Sequence, residues 1–257
     1  MARSPSAEYL VLDIETIPDD ERWQRPDPPD ARGYDAFPPT WAHRIVVIGC
    51  LWLDHGYRPT HIGVLEAGTS ESGSEITADV REQALLEKFS QLVGDRRPTL
   101  VTYNGRGFDL PVIALRSLCH GVAQRWYYRD SNTRYRYSEQ GHIDVCDWLA
   151  DHGATRLGSL DALAHLIGLP GKTGVDGSQV DGLYRAGKLA AIQEYCLSDV
   201  AQTALLFLRF RLLQGVLAPE DYLARTEELL AALAADGRVP EVVGGVKREQ
   251  LLRVSLR

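Results

Sequence analysis

The sequence predicts an α/β domain, and three observations carry that prediction. Apolar runs of strand type stand at Tyr9–Ile17, Ile45–Leu53, His61–Leu65 and Thr99–Tyr103. Stretches with apolar residues at helical spacing stand between and after them, at Ala78–Val93, Pro111–His120, Leu157–Ile167 and Lys188–Leu213. The 257 residues show no internal repeat and no second-domain boundary, and one large core of this class fills such a length.

The first run, Tyr9-Leu-Val-Leu-Asp-Ile-Glu-Thr-Ile17, reads as a buried strand carrying two acids. Side chains alternate along a strand, so Asp13 and Glu15 share one face while Leu12 and Ile14 share the other. Ionised carboxylates inside an apolar strand cost several kcal/mol unless their charge is compensated. Either the strand ends at Leu12 and the acids are solvated, or a divalent cation compensates them. Carboxylate oxygens are the ligands that Mg²⁺ and Mn²⁺ prefer.

Pro18 to His43 is a Pro- and Asp-rich loop, long for a structureless connection, so it is either functional or packed by its aromatics Trp23, Tyr34, Phe37 and Trp41. Ile45–Leu53 and His61–Leu65 join the first strand in an antiparallel meander. Gly68–Glu75, rich in Gly and Ser, is a loop, and the helix over Ala78–Val93 ends at Gly94. After the strand at Thr99–Tyr103 comes Asn104-Gly-Arg-Gly-Phe-Asp-Leu-Pro111, where two glycines permit a tight turn into a helix with Pro111 in its first turn. Asp109 is either the first-turn acid of that helix or a third carboxylate delivered beside the strand end, with Asn104 and Phe108 near a bound base or sugar.

Arg125–Gly141 interleaves arginines with aromatics. It is a single-strand platform, with Arg134 and Arg136 on phosphates and tyrosines on bases, or a hairpin with an exposed arginine face. His142–Asp144 is a short strand running into a helix start, with Asp144 as its cap. Leu157–Ile167 enters through Gly158 and Ser159. Gly171-Lys172-Thr173 lacks the glycine that a Walker A motif needs five residues earlier, where Leu166 stands, so Lys172 sits in a loop that offers it to a phosphate. In the last helix Tyr195 and Asp199 are four residues apart and share a face.

Composition sets further bounds. Four scattered cysteines without a CxxC argue against a zinc knuckle or a disulfide framework, and point to a reducing cytoplasm. No signal peptide or membrane-length apolar run is visible. A net charge of −7 excludes a broad basic groove, though not local, metal-assisted binding of one strand end.

As a set, Asp-x-Glu on a first strand, Asn-x-x-x-Phe-Asp at a strand-to-helix turn and Tyr-x-x-x-Asp on a late helix resemble the DEDD superfamily of 3′–5′ exonucleases in its tyrosine-bearing branch. Bacterial stand-alone exonucleases similar to the proofreading domain of family-B DNA polymerases share this pattern, together with phrases like Asn104–Pro111 and Pro170–Gly174. The resemblance covers roughly residues 8 to 215. It implies a ribonuclease-H-like fold, a central mixed sheet of about five strands flanked by helices, in one exonuclease domain over 1–257 whose residues 216–257 form a helical extension and tail. It implies Asp13, Glu15, Asp109 and Asp199 as ligands of two Mg²⁺ or Mn²⁺ ions, with Tyr195 orienting water first and acting as base second. With no His or Cys ligand nearby, such a set would suit hard cations over zinc. Thr16, Ile17 and Phe108 would meet the terminal nucleotide. The implied partner is a single-stranded DNA 3′ end. An exoribonuclease of the same fold, or a non-catalytic nucleic-acid-binding or polymerase-accessory module, are the alternatives. The presence of all four acids and the tyrosine argues against the module.

Overall fold

A computed structural model describes residues 8–24, 37–67, 77–172, 174 and 176–255. The expected Gly/Ser loop at 68–75 and Tyr34 of the Pro-rich loop lie outside them. Strands β1 (Tyr9–Pro18), β2 (His43–Leu53) and β3 (Pro59–Val64) form the expected antiparallel meander. Strands β4 (Thr99–Thr102) and β5 (His142–Asp144) extend it in parallel from the other side of β1, giving the order β3-β2-β1-β4-β5. Parallel neighbours need crossover connections, and helices supply them. This mixed five-stranded sheet with helices on both faces is the α/β architecture expected from the sequence.

Alternation along β1 sorts its side chains between two cores. Leu10, Leu12 and Ile14 pack against α1 (Ala78–Arg96), α2 (Asp109–His120) and Trp126 of α3 (Arg125–Arg129). Val11 lies in the other core, under α8 (Leu189–Leu213). Asp13 and Glu15 follow Val11 in phase and so face α8 too. Parallel pairing of β1 with β4 ends at Val11↔Val101, so the acid-bearing half of β1 runs past the end of β4.

Other helices are short: α4 (Ser131–Arg134), α5 (Val145–Leu149), α6 (Leu160–Ile167) and α7 (Val180–Arg185). After α8 come α9 (Pro219–Asp236), α10 (Pro240–Gly245) and α11 (Arg248–Leu251). They close over α8, where the buried Tyr222 hydroxyl donates to Leu251 O at 2.6 Å. No described helix is long and apolar enough to cross a membrane.

Several expectations need correction. Gly94 does not end α1, which runs to Arg96 and stops at Arg97 in the left-handed region (φ 48°). The helix after Asn104 is as expected, since α2 starts at Asp109, has Pro111 in its first turn and ends at His120. Arg125–Gly141 forms no hairpin. Its first part folds into α3 and α4, because Trp126 is buried edge-on against Phe89 (centroids 5.6 Å apart) and donates to Gln124 Oε1. In the described part of the Pro-rich loop, Phe37 and Trp41 are 76% and 47% exposed. Charge anchors its start. Asp19, fully buried, pairs with Arg116 at 2.7 Å, Arg22 at 2.9 Å and Arg44 at 3.2 Å. Arg116 in turn pairs with the buried Glu82 at 2.6 Å.

Candidate active site

Three elements bring the predicted acids together. β1 supplies Asp13 and Glu15, with a register shift in its pairing to β2 just after Glu15. α2 supplies Asp109 at its first residue. The turn before it is folded by Asp144, whose carboxylate accepts from the backbone N–H of Asn104 and Arg106, each at 2.8 Å. Asp144 also caps α5, as its sequence position predicts. Asn104 takes a left-handed φ of 62°, and a Cβ on Gly105 would stand 2.5 Å from Thr102, so the turn tolerates glycine alone there.

α8 supplies Tyr195, Cys196 and Asp199. Gly49 of β2 is the cross-strand neighbour of Asp13. A Cβ there would stand 2.7 Å from Cys196 Sγ and 3.0 Å from Val200 Cγ2, so the absent side chain is what lets α8 lie this close to the acids.

The electrostatics are those of an uncompensated anionic cluster. Burial first, then the charges of Asp109, Glu15 and Asp199, hold Asp13 well above the usual carboxylate range. Glu15 is raised by burial and by Asp199 and Asp109. Burial pushes Asp109 up to about 7, opposed by backbone groups of Asp109 itself and Ile14. Burial lifts Asp199 to about 6, with Tyr195 and Lys172 opposing. Tyr195 is itself raised, by burial first and then by Asp199, Glu15 and Asp13.

Whether the residues fit divalent ions is tested by their unmet acceptors. Asp109 Oδ1 is buried without a hydrogen-bond partner. Lys172 is the one cation among the groups that shift these four acids. Hard oxygen donors without cationic partners fit Mg²⁺ or Mn²⁺. The expectation that no Cys stands nearby is corrected: Cys196 Sγ lies 3.6 Å from Asp13 Oδ2. Its spacing of three residues from Asp199 on one helix was the available signal.

The remaining predicted residues are placed less uniformly. The Thr16 hydroxyl bonds His43 Nδ1 at 2.9 Å, and Phe108 meets the His43 ring edge-on at 5.0 Å. The Ile17 side chain is buried against Val46, Val180 and Ile192, leaving its backbone for any contact. Asn104 is exposed. Lys172 reaches toward Asp199 from a loop and is paired with Asp176. Arg134 is exposed, with its guanidinium 5.3 Å from the Tyr128 ring centroid. Arg136 is not a free cation, because it pairs with Asp147, donating from Nε at 3.0 Å. Sequence reasoning missed His43, and also Arg106, which joins the turn before Asp109 to Arg134 O and His142 Nδ1 at 3.2 Å each.

The family described as predicted 3′–5′ exonucleases related to the exonuclease domain of PolB matches residues 35–243. That span includes Asp109, Tyr195 and Asp199 and begins after β1. The catalytic chain of DNA polymerase epsilon from Saccharomyces cerevisiae is 30% identical over 139 residues, and that from Schizosaccharomyces pombe 25% over 134. Each alignment takes in 50% of this chain and 6% of the polymerase. Among solved structures, a product-bound exonuclease I superposes with a TM-score of 0.40 at 12% identity, over 79% of this chain and 47% of that one. A zinc-bound complex of E. coli exonuclease I with single-stranded DNA gives a TM-score of 0.40 at 13% identity, over 77% and 43%.

Proposed function

We propose a reaction for this chain, which belongs to the predicted 3′–5′ exonucleases related to the exonuclease domain of PolB: it hydrolyses phosphodiester bonds from the 3′ end of single-stranded DNA. The observation that carries the reading is the gathering of Asp13, Glu15, Asp109 and Asp199 around Tyr195, with an unpartnered buried oxygen on Asp109.

In this reading the four carboxylates hold two Mg²⁺ or Mn²⁺ ions. Such a pair, when bound, stabilises the attacking and leaving oxygens of an in-line displacement. The chain's own residues orient the reactants. Tyr195, one turn from Asp199 on α8, orients the attacking water by hydrogen bonding first and acts as a base second. Water adds to phosphorus and gives up a proton to solvent, the bond to the 3′ oxygen of the preceding nucleotide breaks, that oxygen takes a proton from solvent to become a 3′ hydroxyl, and a 5′-mononucleotide leaves. Thr16, steadied by His43, the Ile17 backbone, Asn104 and Phe108 receive the terminal nucleotide. Lys172 exchanges Asp176 for a substrate phosphate. Arg134 meets the strand further on, whereas Arg136 supports the surface through Asp147. The relation to DNA polymerases favours DNA over RNA.

The test uses 3′-labelled and 5′-labelled single-stranded DNA and RNA of one sequence, each with Mg²⁺, Mn²⁺ or EDTA. Expected are immediate release of 3′ label as mononucleotide, a shortening ladder from 5′ label, preference for DNA, and silence in EDTA. Undiminished cleavage in EDTA would overturn the metal-dependent reading, and loss of 5′ label first would overturn the polarity.

A further inference from the structure

We propose that the acidic cluster also takes thiophilic first-row dications of the zinc class, with Cys196 adding a sulfur ligand to Asp13 and Glu15. The proposal rests on the reading that these carboxylates hold cations, and extends it to which cations they hold. One ligand atom each from Asp13, Glu15 and Cys196 lies within 4.8 Å of the others. Cys196 Sγ and Asp13 Oδ2 stand 3.6 Å apart. Zinc bonds of about 2.3 Å to sulfur and about 2.0–2.2 Å to a carboxylate oxygen, at a tetrahedral angle, set the two ligand atoms about 3.5 Å apart. The thiol already stands at ligand separation from the carboxylate.

Its place is fixed by packing. Sγ lies against the bare Cα of Gly49 and is buried between α8 and the sheet. A second, independent feature points to a cation. Asp109 is 4% exposed and aimed at the same cluster, with its Oδ1 unpartnered. Oxygen ligands alone serve Mg²⁺ and Mn²⁺, whereas one sulfur ligand tilts a site toward Zn²⁺, Co²⁺ or Cd²⁺. Ligation displaces the thiol proton to solvent. Zinc would therefore occupy the cluster at concentrations where magnesium does not, and hold it in a form whose geometry differs from that of the hard-cation site.

The experiment titrates Co²⁺ into the full chain and follows sulfur-to-cobalt charge-transfer absorption, a readout independent of nuclease activity. Cys119→Ser silences the exposed thiol, and Cys50, in the core on the opposite face of the sheet, is an internal control. Expected is a saturable band in wild type and Cys119→Ser that Zn²⁺ abolishes by displacement. Both Cys196→Ala and Cys196→Ser should lose the band. By calorimetry they should lower Zn²⁺ affinity at least about tenfold while Mn²⁺ affinity stays within about threefold. Circular dichroism shows whether each variant folds, and the serine variant nearly keeps the volume of the thiol. A wild type that binds Mn²⁺ and Co²⁺ without the band overturns this inference and leaves the hard-cation reading standing. A band that persists in folded Cys196→Ala overturns it as well. Failure of the wild type to bind any of the three cations overturns both.

Discussion

Replacing Gly49 with alanine should separate α8 from the acids without touching a charged group. The added Cβ would stand 2.7 Å from Cys196 Sγ and 3.0 Å from Val200 Cγ2. Comfortable contact between such atoms begins at about 3.5 Å, so helix and strand must part by somewhat under 1 Å. Overpacking of this kind costs about 1–3 kcal/mol, which for a chain of this size lowers the thermal midpoint by roughly 2–12 °C. The same shift carries Tyr195 and Asp199 away from Asp13 and Glu15, and displacements near 1 Å cost about 10²-fold in rate. The assay is kcat on a single-stranded oligonucleotide at saturating metal, beside the thermal midpoint. Two companions sharpen it. Gly49→Ala with Cys196→Ala removes the nearer clash and should recover most of both losses. Gly94→Ala, on α1 with open space around its Cβ, should change activity little. Turnover of Gly49→Ala within a few-fold of wild type, or a double variant no better than the single one, would refute the argument that this glycine sets the distance between helix and acids.

Asp13→Ala or Glu15→Ala should fold and lose activity by several orders of magnitude, and should raise the metal-free thermal midpoint because repulsion in the cluster falls; near-normal turnover would remove that residue from the ligand set. Tyr195→Phe should lower single-turnover rate by roughly 10²-fold while Mn²⁺ affinity by calorimetry changes little, and the reverse pattern would make the tyrosine structural. In EDTA, Asp109 (about 7) stays protonated in the folded chain where an unfolded aspartate has ionised. Folding stability from this group is therefore present at low pH and is lost as pH rises from about 4 through 7. The midpoint of wild type minus that of Asp109→Asn should fall across that range, and a rise would refute the burial argument. Arg134→Glu should raise KM for oligonucleotides and flatten their salt dependence by about one unit of slope, with dinucleotide cleavage unchanged; equal effects on both would show that the segment supports the fold instead.

The sequence made the sheet and the acids legible for one reason: a period of two with carboxylates in an apolar strand is a local signal. The same holds for α6, whose Ser159 cap accepts from Ala162 N–H. What stayed hidden depends on partners far apart in the chain. Arg136 reads as a free phosphate contact because nothing local says that Asp147 neutralises it. Asp19 reads as one more loop acid, yet its main partner, Arg116, is 97 residues away. Cys196 looks like any helical cysteine until Gly49, on a strand far earlier in the chain, brings it against Asp13. Arg125–Gly141 offers no period at all, and the burial of Trp126 decides its form.

Pairing also bears on the proposed reading, in which a chain of net charge −7 holds a cation and through it a polyanion. Two groups of acids withdrawn from solvent contrast here, apart from Asp144, whose carboxylate is met by the N–H groups of Asn104 and Arg106. In the first, Asp19 and Glu82 meet Arg22, Arg44 and Arg116. There the arginines lower Asp19 to about 2 even against its burial. That group is electrostatically complete and gains nothing from a metal. In the second, Asp13, Glu15, Asp109 and Asp199 face one another, with Lys172 alone at the margin, and burial raises every one of them. Burial is thus common to both groups and does not mark the site. The missing counter-charge does. On the proposed reading, where the net charge repels DNA phosphates at long range, cations that neutralised this second group would also create the local attraction that a strand end needs.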